Sequence, residues 1–488
     1  MGTSSAVSPR TVETHTGIVF LVGDRAYKVK KSVVTDFLDF STVERREHAC
    51  GREVALNSRL APDSYLGVAH FTAAGDCPEP VIVMRRHPDH LRLATMVRRG
   101  EAAEDELMRV ALVLSRFHAS AARGREVDAQ GRVDAIMARW QENLAELGGY
   151  ADNIDGVDPT VVAEIGRLAT EFIAGRSVLF ARRIGERKIV DGHADLLADD
   201  IFCLDDGPAL LDCLEFDDSL RYVDVVDDAA FLAMDLEFLG RPDLARAFLR
   251  SYARLSEDDA PASLYDFYIA YRAVVRAKVD CVRHTQGAEG AADDARRHLQ
   301  IAYNHLQAGA VRLILVGGGP GTGKTTLSRS LAEDLGALVI STDAVRAEMA
   351  RLGEITGIPG VLDDGLYARE NVDAVYDSVL RQAHLRLCEG TSVVLDGTWQ
   401  DPRHRELAQR LATEANAAEI ELCCVAPLDA TVARVRVRAE TASQVTPEIA
   451  VALAERDEGV WAGAHRIDTT RAQSASVAEA RDICARAI

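Results

Sequence analysis

Nowhere does the sequence run to the roughly 18 uninterrupted apolar residues that a membrane helix needs, and Met1 to Arg10 lacks the basic-then-apolar plan of a secretion signal. A soluble cytoplasmic protein is the expectation. The nine cysteines include no C-x-x-C pair, which excludes a paired zinc motif and a thioredoxin-type site and leaves buried thiols in a reducing compartment. Basic charge is in deficit, with 56 Lys and Arg against 76 Asp and Glu, a formal net charge of −20. That balance argues against a general nucleic-acid or anionic-membrane binder, because either needs a basic face to displace counterions. Internal repeats and low-complexity linkers are absent too, so solenoid and tail architectures fall away. Nothing in the chain fixes an oligomeric state.

What is present is a phosphate-binding loop. Gly318, Gly319, Pro320, Gly321, Thr322, Gly323, Lys324, Thr325 and Thr326 follow the apolar run 311–316 and open a helix-like run in which Leu327, Leu331 and Leu335 share one face before Gly336. Glycines let the turn bend until successive backbone N–H groups face a phosphate, Lys324 reaches the β and γ oxygens of ATP, and the Thr325 hydroxyl holds Mg²⁺. Around this loop residues 306–488 alternate strand and helix: strands at 311–316, 337–341, 392–395 and 419–425, helices at 323–335, 343–352, 366–388, 403–415 and 428–439. Parallel strands need helical crossovers, so the pattern predicts a doubly wound α/β sheet.

Three further features point to phosphoryl transfer. Asp396 ends an apolar strand, the place of a Mg²⁺-associated carboxylate in such folds. Asp343 and Arg346 follow the second strand, where open α/β sheets bind ligands. Asp343 can accept the proton of a substrate hydroxyl while Arg346 clamps an anionic group, the alternative being a helix-capping Asp with a surface ion pair. Arg434 and Arg438, four apart on a late helix, supply charge over a moving phosphate. On these motifs residues 311–470 resemble the P-loop small-molecule kinases, a group that includes gluconate kinase, the zeta toxins and the polynucleotide 5′-kinase domain.

Residues 1–305 read differently. A hairpin over 18–34 turns at Gly23-Asp24, a helix spans about 44–60, a strand covers 81–84, and Leu107, Val110, Ala111, Leu114 and Phe117 recur at helical spacing. Short strands at 201–204 and 209–214 then give way to helices from about 227 to 308, broken by a loop at 285–294. The segment Asp191-Gly192-His193-Ala194-Asp195, with Asp200 beyond it, resembles the catalytic loop of aminoglycoside phosphotransferases and their protein-kinase-like relatives. The resemblance implies that His193 orients the loop, that Asp195 is the base for the acceptor hydroxyl, and that Asp200 stands where a metal-binding Asn is usual. The family's second metal acid then falls among Asp212, Glu215 and Asp217, and spacing does not choose between them. Lys28 and Lys30 share a strand face, so either can reach the ATP phosphates, and Glu53 on the following helix is the expected ion-pair partner. No G-x-G-x-x-G precedes this strand. Arg272 and Arg276 share a helix face, available to an anionic substrate or, given so many acids, to solvated ion pairs.

The order of these pieces, with Phe37 to Thr42 and Arg59 to Val68, resembles the bacterial bifunctional aminoglycoside phosphotransferase/ATP-binding proteins over nearly the whole chain. It implies a kinase-like domain, 1–305, followed by a P-loop kinase domain, 306–488. The activity expected is ATP- and Mg²⁺-dependent phosphorylation of a hydroxyl on a small metabolite such as a sugar or an aminoglycoside-like compound. Two alternatives stand beside it: an ATPase switch acting on a kinase-like docking domain, and polynucleotide 5′-phosphorylation.

Overall fold

The computed structural model describes residues 10–13, 17–34, 39–72, 78–102, 104–151, 153–358, 361, 363–437, 451, 461 and 463–488. The chain forms two compact units. One comprises Met1–Val162, Ala181–Ala260 and Tyr268–Ala302, the other Ala163–Phe180, Pro261–Phe267 and Tyr303–Ile488. No helix among the described residues is long and apolar enough to cross a membrane.

In the first unit β1 (Arg10–Glu13), β2 (Gly17–Val22), β3 (Arg25–Lys30), β4 (Tyr65–Phe71) and β5 (Glu79–Arg85) form an antiparallel sheet in the order β1-β2-β3-β5-β4. The β2–β3 hairpin turns at Gly23-Asp24, where Gly23 has φ +59°, a conformation that costs glycine little. The helix Val43–Asn57 starts at Thr42, whose hydroxyl accepts the Arg45 N–H. Its buried residues are Arg46, Cys50, Glu53 and Asn57, spaced as one helix face but mostly polar, so the face that holds charge is the face that is covered. Cys50 joins Tyr65, Ile82, Phe202 and Leu211 in the core beneath the sheet.

Helices dominate the rest of this unit. Glu104–Ser120 buries Leu107, Val110, Ala111, Leu114 and Phe117, as their spacing predicts. Two short antiparallel ladders, β6 (Ile189–Asp191) with β9 (Tyr222–Asp224) and β7 (Ile201–Leu204) with β8 (Gly207–Leu210), frame the loops that carry residues 192–200 and 211–217. A five-stranded antiparallel sheet with one helix, followed by a helical lobe bearing two such loops, is the protein-kinase-like fold.

In the second unit β10 (Arg312–Gly317), β11 (Leu338–Ser341), β12 (Val393–Asp396), β13 (Ala418–Val425) and β14 (His465–Asp468) run parallel in the order β11-β12-β10-β13-β14. The central β10 is buried at every position, as a strand covered on both faces must be. It delivers the phosphate-binding loop to the helix Lys324–Leu335, which buries Leu327 and Leu331 and ends at Gly336 with φ +62°. The anticipated helices appear as Thr342–Leu352, Arg369–Cys388, Pro402–Glu414 and Leu428–Val437. Sequence reading missed β14 and the helix Gln473–Arg486, whose Ile467, Val477, Ala480 and Ile483 complete one core face of the sheet.

On β13 the alternation of side chains sets Glu419 and Glu421 on one face. Glu419 Oε1 is buried without a hydrogen-bond partner among the described residues, and burial, reinforced by Glu421, pushes its carboxyl up to about 7 from 4.5. An acid whose folded value is raised loses stability as pH climbs from its unfolded value through its folded one. Glu419→Gln should therefore raise Tm at pH 8 and change it little near pH 5. An equal gain at both pH values would contradict this account of the strand.

Candidate functional site

Each unit gathers its own set of chemical groups. In the second, the glycines of the loop are required by shape. Gly318, Gly321 and Gly323 have φ +126°, +76° and +90°, and a Cβ on Gly318 or Gly321 would stand 2.5 Å from the Cys424 or Thr431 carbonyl oxygen. Lys324 Nζ donates to the Gly319 carbonyl at 2.9 Å, folding the lysine back over the loop. The Thr325 hydroxyl donates to Asp396 Oδ2 at 2.8 Å. A hydroxyl and a carboxylate side by side are hard oxygen donors suited to Mg²⁺. Asp396 is 4% exposed; burial pushes its carboxyl up, with Lys324 and the Thr325 hydroxyl opposing and Asp343 adding to the rise. A carboxylate held against its preference in this way gains from a cation, so the residues present fit the metal.

Asp343 lies in the first turn of the helix Thr342–Leu352, two residues past the cap position, which Ser341 occupies. Arg346 Nη1 donates to Asp343 Oδ1 at 2.8 Å, and the guanidinium stands 4.4 Å from the centre of the Tyr367 ring. Arg346 is buried, so the pair is not the surface ion pair weighed from sequence. Its Nε has no hydrogen-bond partner among the described residues. Lys324, Thr325, Asp343, Arg346 and Asp396 together line a cavity of about 500 Å³. Arg434 lies beside the loop, donating to the Gly321 carbonyl at 3.3 Å and the Thr469 carbonyl at 2.8 Å. Arg438 lies outside the described residues.

Tyr376, Thr398 and His404 also line that cavity, and Trp399 packs against Tyr376. Trp399 is fully buried with φ +53°, unusual for a residue with a side chain, and its indole N–H donates to the Leu395 carbonyl at 3.1 Å. Tyr376 OH meets the Thr398 hydroxyl and the Trp399 N–H, each at 3.2 Å, while the ring stacks on His404 at 4.0 Å. These contacts fix Gly397-Thr398 against the phosphate-binding loop, where Gly318 N–H donates to the Thr398 carbonyl. Trp399 follows Asp396 closely in sequence, whereas Tyr376, on the helix Arg369–Cys388, carries no local signal.

In the first unit both lysines reach the same acid. Lys28 Nζ donates to Glu53 Oε1 and to Asp212 Oδ1, each at 2.8 Å. Lys30 Nζ lies 2.5 Å from Glu53 Oε2 and donates to Glu215 Oε1 at 2.7 Å. Glu53 is fully buried, and each of its carboxylate oxygens takes one lysine. Of the three candidate metal acids, Asp212 therefore stands with Lys28 and Glu215 with Lys30. Asp217 is elsewhere: it is exposed, caps the short helix Asp218–Arg221 and accepts the Ser219 N–H at 2.7 Å.

Asp195, Asp200 and Asp212 act on one another electrostatically. Burial pushes Asp195 up to about 6, with Arg276 the strongest opposing charge and Asp212 adding to the rise. Burial, then Asp212 and Asp195, raise Asp200 well above the usual carboxylate range, whereas Lys28 holds Asp212 below it. Among the described residues no group of three or more acids, histidines or cysteines is placed to hold a metal alone. Asp200 and Asp212 fit an ion that takes its remaining ligands from a nucleotide and water, the habit of Mg²⁺.

The residue that shapes this loop is Asp228, which sequence reading did not single out. It is fully buried on the helix Val225–Phe238 and accepts the backbone N–H of His193 at 2.7 Å and of Ala194 at 2.8 Å, with His118 Nε2 at 2.9 Å. His193 in turn meets the Leu211 carbonyl through Nε2 at 3.0 Å, tying the 193–200 loop to the start of the 211–217 loop, next to Asp212. Arg272 corrects the expectation of solvated pairs: it is buried, holds Asp227 at 2.7 and 3.0 Å, and donates to the Ala194 carbonyl at 3.2 Å.

Residues 313–456 match the family model described as an AAA domain, a span that opens on β10 and takes in the phosphate-binding loop, Asp343, Arg346, Asp396 and Arg434. Over the whole length the chain is 58% identical across 477 residues to uncharacterized protein Rv2004c of Mycobacterium tuberculosis (strain ATCC 25618 / H37Rv), covering 98% of this chain and 95% of that protein. Uncharacterized protein Mb2027c of Mycobacterium bovis (strain ATCC BAA-935 / AF2122/97) matches to the same extent. Among solved structures, a gluconokinase from Sinorhizobium meliloti 1021 is 20% identical with TM-score 0.27, covering 36% of this chain and 92% of its own. A choline/ethanolamine kinase family protein from Mesorhizobium loti is 14% identical with TM-score 0.38, covering 62% of this chain and 94% of its own.

Removing Asp228 leaves two buried N–H donors and a buried histidine without their acceptor, a loss typically of about 3–5 kcal/mol. Asp228→Ala should lower the urea midpoint of the first unit's transition accordingly. A change below about 1 kcal/mol, within the range of ordinary surface substitutions, would show that the loop is held by other means.

Proposed function

Because the chain belongs to the family of the uncharacterized mycobacterial protein Rv2004c, which passes on no assigned activity, we propose from its own sites that it is an ATP- and Mg²⁺-dependent phosphotransferase acting on a hydroxyl of a small metabolite. One observation carries the reading: Asp343 and Arg346 share a single cavity with Lys324, Thr325 and Asp396. A nucleotide switch needs the last three but has no use for a carboxylate and a guanidinium facing them across 500 Å³. A polynucleotide kinase needs a basic channel, and here five aspartates face four Lys and Arg side chains.

When bound, Mg·ATP supplies the phosphoryl group and neutralises charge on its oxygens. The loop N–H groups and Lys324 hold the phosphates, and Thr325 with Asp396 holds the metal. Asp343 accepts the proton of the acceptor hydroxyl. Arg346 keeps Asp343 oriented through Nη1 and sets its positive charge beside the acceptor. Arg434, already against Gly321, lies close enough to add charge beside the loop.

The first unit carries the same chemistry in a second form, and we assign it to the aminoglycoside phosphotransferase type. Lys28 binds phosphate oxygens, Glu53 and Lys30 hold Lys28 in place, Asp200 and Asp212 carry the metal, and Asp195 is the base. Sugars and aminoglycoside-like compounds are the acceptor types that suit this resemblance. We place the protein in the cytoplasm, with domains 1–305 and 306–488.

Incubation of the full chain with γ-labelled ATP, Mg²⁺ and a metabolite extract should yield an acceptor heavier by one phosphate. Asp343→Asn should lower kcat for the acceptor of the second unit by about 10²–10⁴-fold, the usual worth of a general base. ADP formation with no phosphorylated acceptor would favour the switch. Salt-sensitive labelling of a 5′-hydroxyl oligonucleotide would favour the polynucleotide reading.

A further inference from the structure

Two arginines lie one turn apart on the helix Ala262–Thr285, and they have different work. Arg272 is spent on structure, held by Asp227 and holding the Ala194 carbonyl. Arg276 is half-buried and makes no hydrogen bond or ion pair among the described residues. Its guanidinium is nevertheless the cation that acts most strongly on Asp195, ahead of Arg272, and it acts on Asp235 as well. Asp235, the other acid it acts on, is committed to the Ala198 N–H at 2.8 Å. Arg272 sets this face of the helix against the Ala194 carbonyl, one residue before Asp195, and one turn further along the same face stands a guanidinium whose donor fork is unused; such a fork matches the paired oxygens of a carboxylate or phosphate.

We propose that the acceptor of the kinase-like unit is an anion, a small polyol bearing a phosphate monoester or carboxylate, and that Arg276 binds this group while Asp195 faces the reacting hydroxyl. The inference rests on the phosphotransferase reading of Asp195 and narrows it. In the transfer, the bond from the γ-phosphorus to the β–γ bridging oxygen breaks and the electron pair leaves with ADP. A bond from the γ-phosphorus to the acceptor oxygen forms, and the hydroxyl proton passes to Asp195. A polycationic acceptor would meet Arg276 as repulsion next to the point of attack. Aminoglycoside-like compounds are thereby disfavoured for this unit, although the family resemblance alone admits them.

The test uses the full chain carrying Lys324→Ala, which removes turnover by the phosphate-binding loop. It is given γ-labelled Mg·ATP with sugar phosphates and sugar acids, with neutral sugars, or with aminoglycosides. The anionic set should be labelled with kcat/KM at least about tenfold above the other two, and Arg276→Gln should raise KM for that set about tenfold or more with little change in kcat. Arg276→Lys should restore part of the loss. Equal labelling of cationic acceptors, or an Arg276→Gln effect confined to the pH profile, would overturn the proposal, the latter by making Arg276 a tuner of Asp195. Calorimetry with glycerol 3-phosphate separates the two readings if no set is labelled. Binding lost in Arg276→Gln would keep the anion site and sink the transfer reading, and binding insensitive to Arg276 would sink the anion site.

Discussion

A carboxylate that takes a proton or holds a metal has to be ionised, and burial works against ionisation unless a cation stands by. Both units are organised around that conflict. Asp195, Asp200 and Asp396 are all pushed above the usual carboxylate range by burial, while the cations supplied by the chain are too few or too committed to relieve them fully. Asp212 is the exception, relieved by Lys28. A site left short of positive charge has much to gain from a metal-bound nucleotide, so the same electrostatic deficit that costs stability in its absence favours binding.

The units meet the problem by different means. In the proposed reaction the P-loop unit would spend little side-chain charge on phosphate, since backbone N–H groups in a glycine-shaped turn would do most of the holding; the sequence there is constrained by shape, as the Gly318 and Gly321 approaches show. The kinase-like unit has no such turn and relies on a chain of ion pairs, Asp212 to Lys28 to Glu53 to Lys30 to Glu215, which crosses from the sheet to the helix Val43–Asn57 and on to the loop after β8. The whole chain must be assembled for Lys28 to point at the right place. Asp228 plays the corresponding part beneath the 193–200 loop, where one buried carboxylate sets the direction of two successive peptide groups.

These differences explain what the sequence revealed. The phosphate-binding loop, Asp343, Arg346 and Asp396 were legible because each is tied to its strand or loop by short, local spacing. The hairpin carrying Lys28 and the helix with Leu107 to Phe117 were legible because a two-residue turn and a clear helical period are local signals as well. Glu53 was legible as the ion-pair partner on the following helix, 25 positions from Lys28, but Asp212 and Glu215 reach Lys28 and Lys30 across 184 and 185 positions, and spacing could not tell them from Asp217. Arg272 was misread as solvated because an arginine on a helix in an acidic chain is ordinarily paired at the surface; its burial against Asp227 depends on how the helices pack. Asp228, Tyr376 and Trp399 act through buried contacts that no motif records.

We propose two nucleotide sites in one chain, each depending on its own acids and lysine. Titration of the full chain with a non-hydrolysable ATP analogue and Mg²⁺ measures this directly. Two equivalents should bind, one lost in Lys324→Ala and the other in Asp200→Ala, with both variants folded. A single equivalent, unaffected by Asp200→Ala, would contradict the claim and leave the kinase-like unit without a nucleotide.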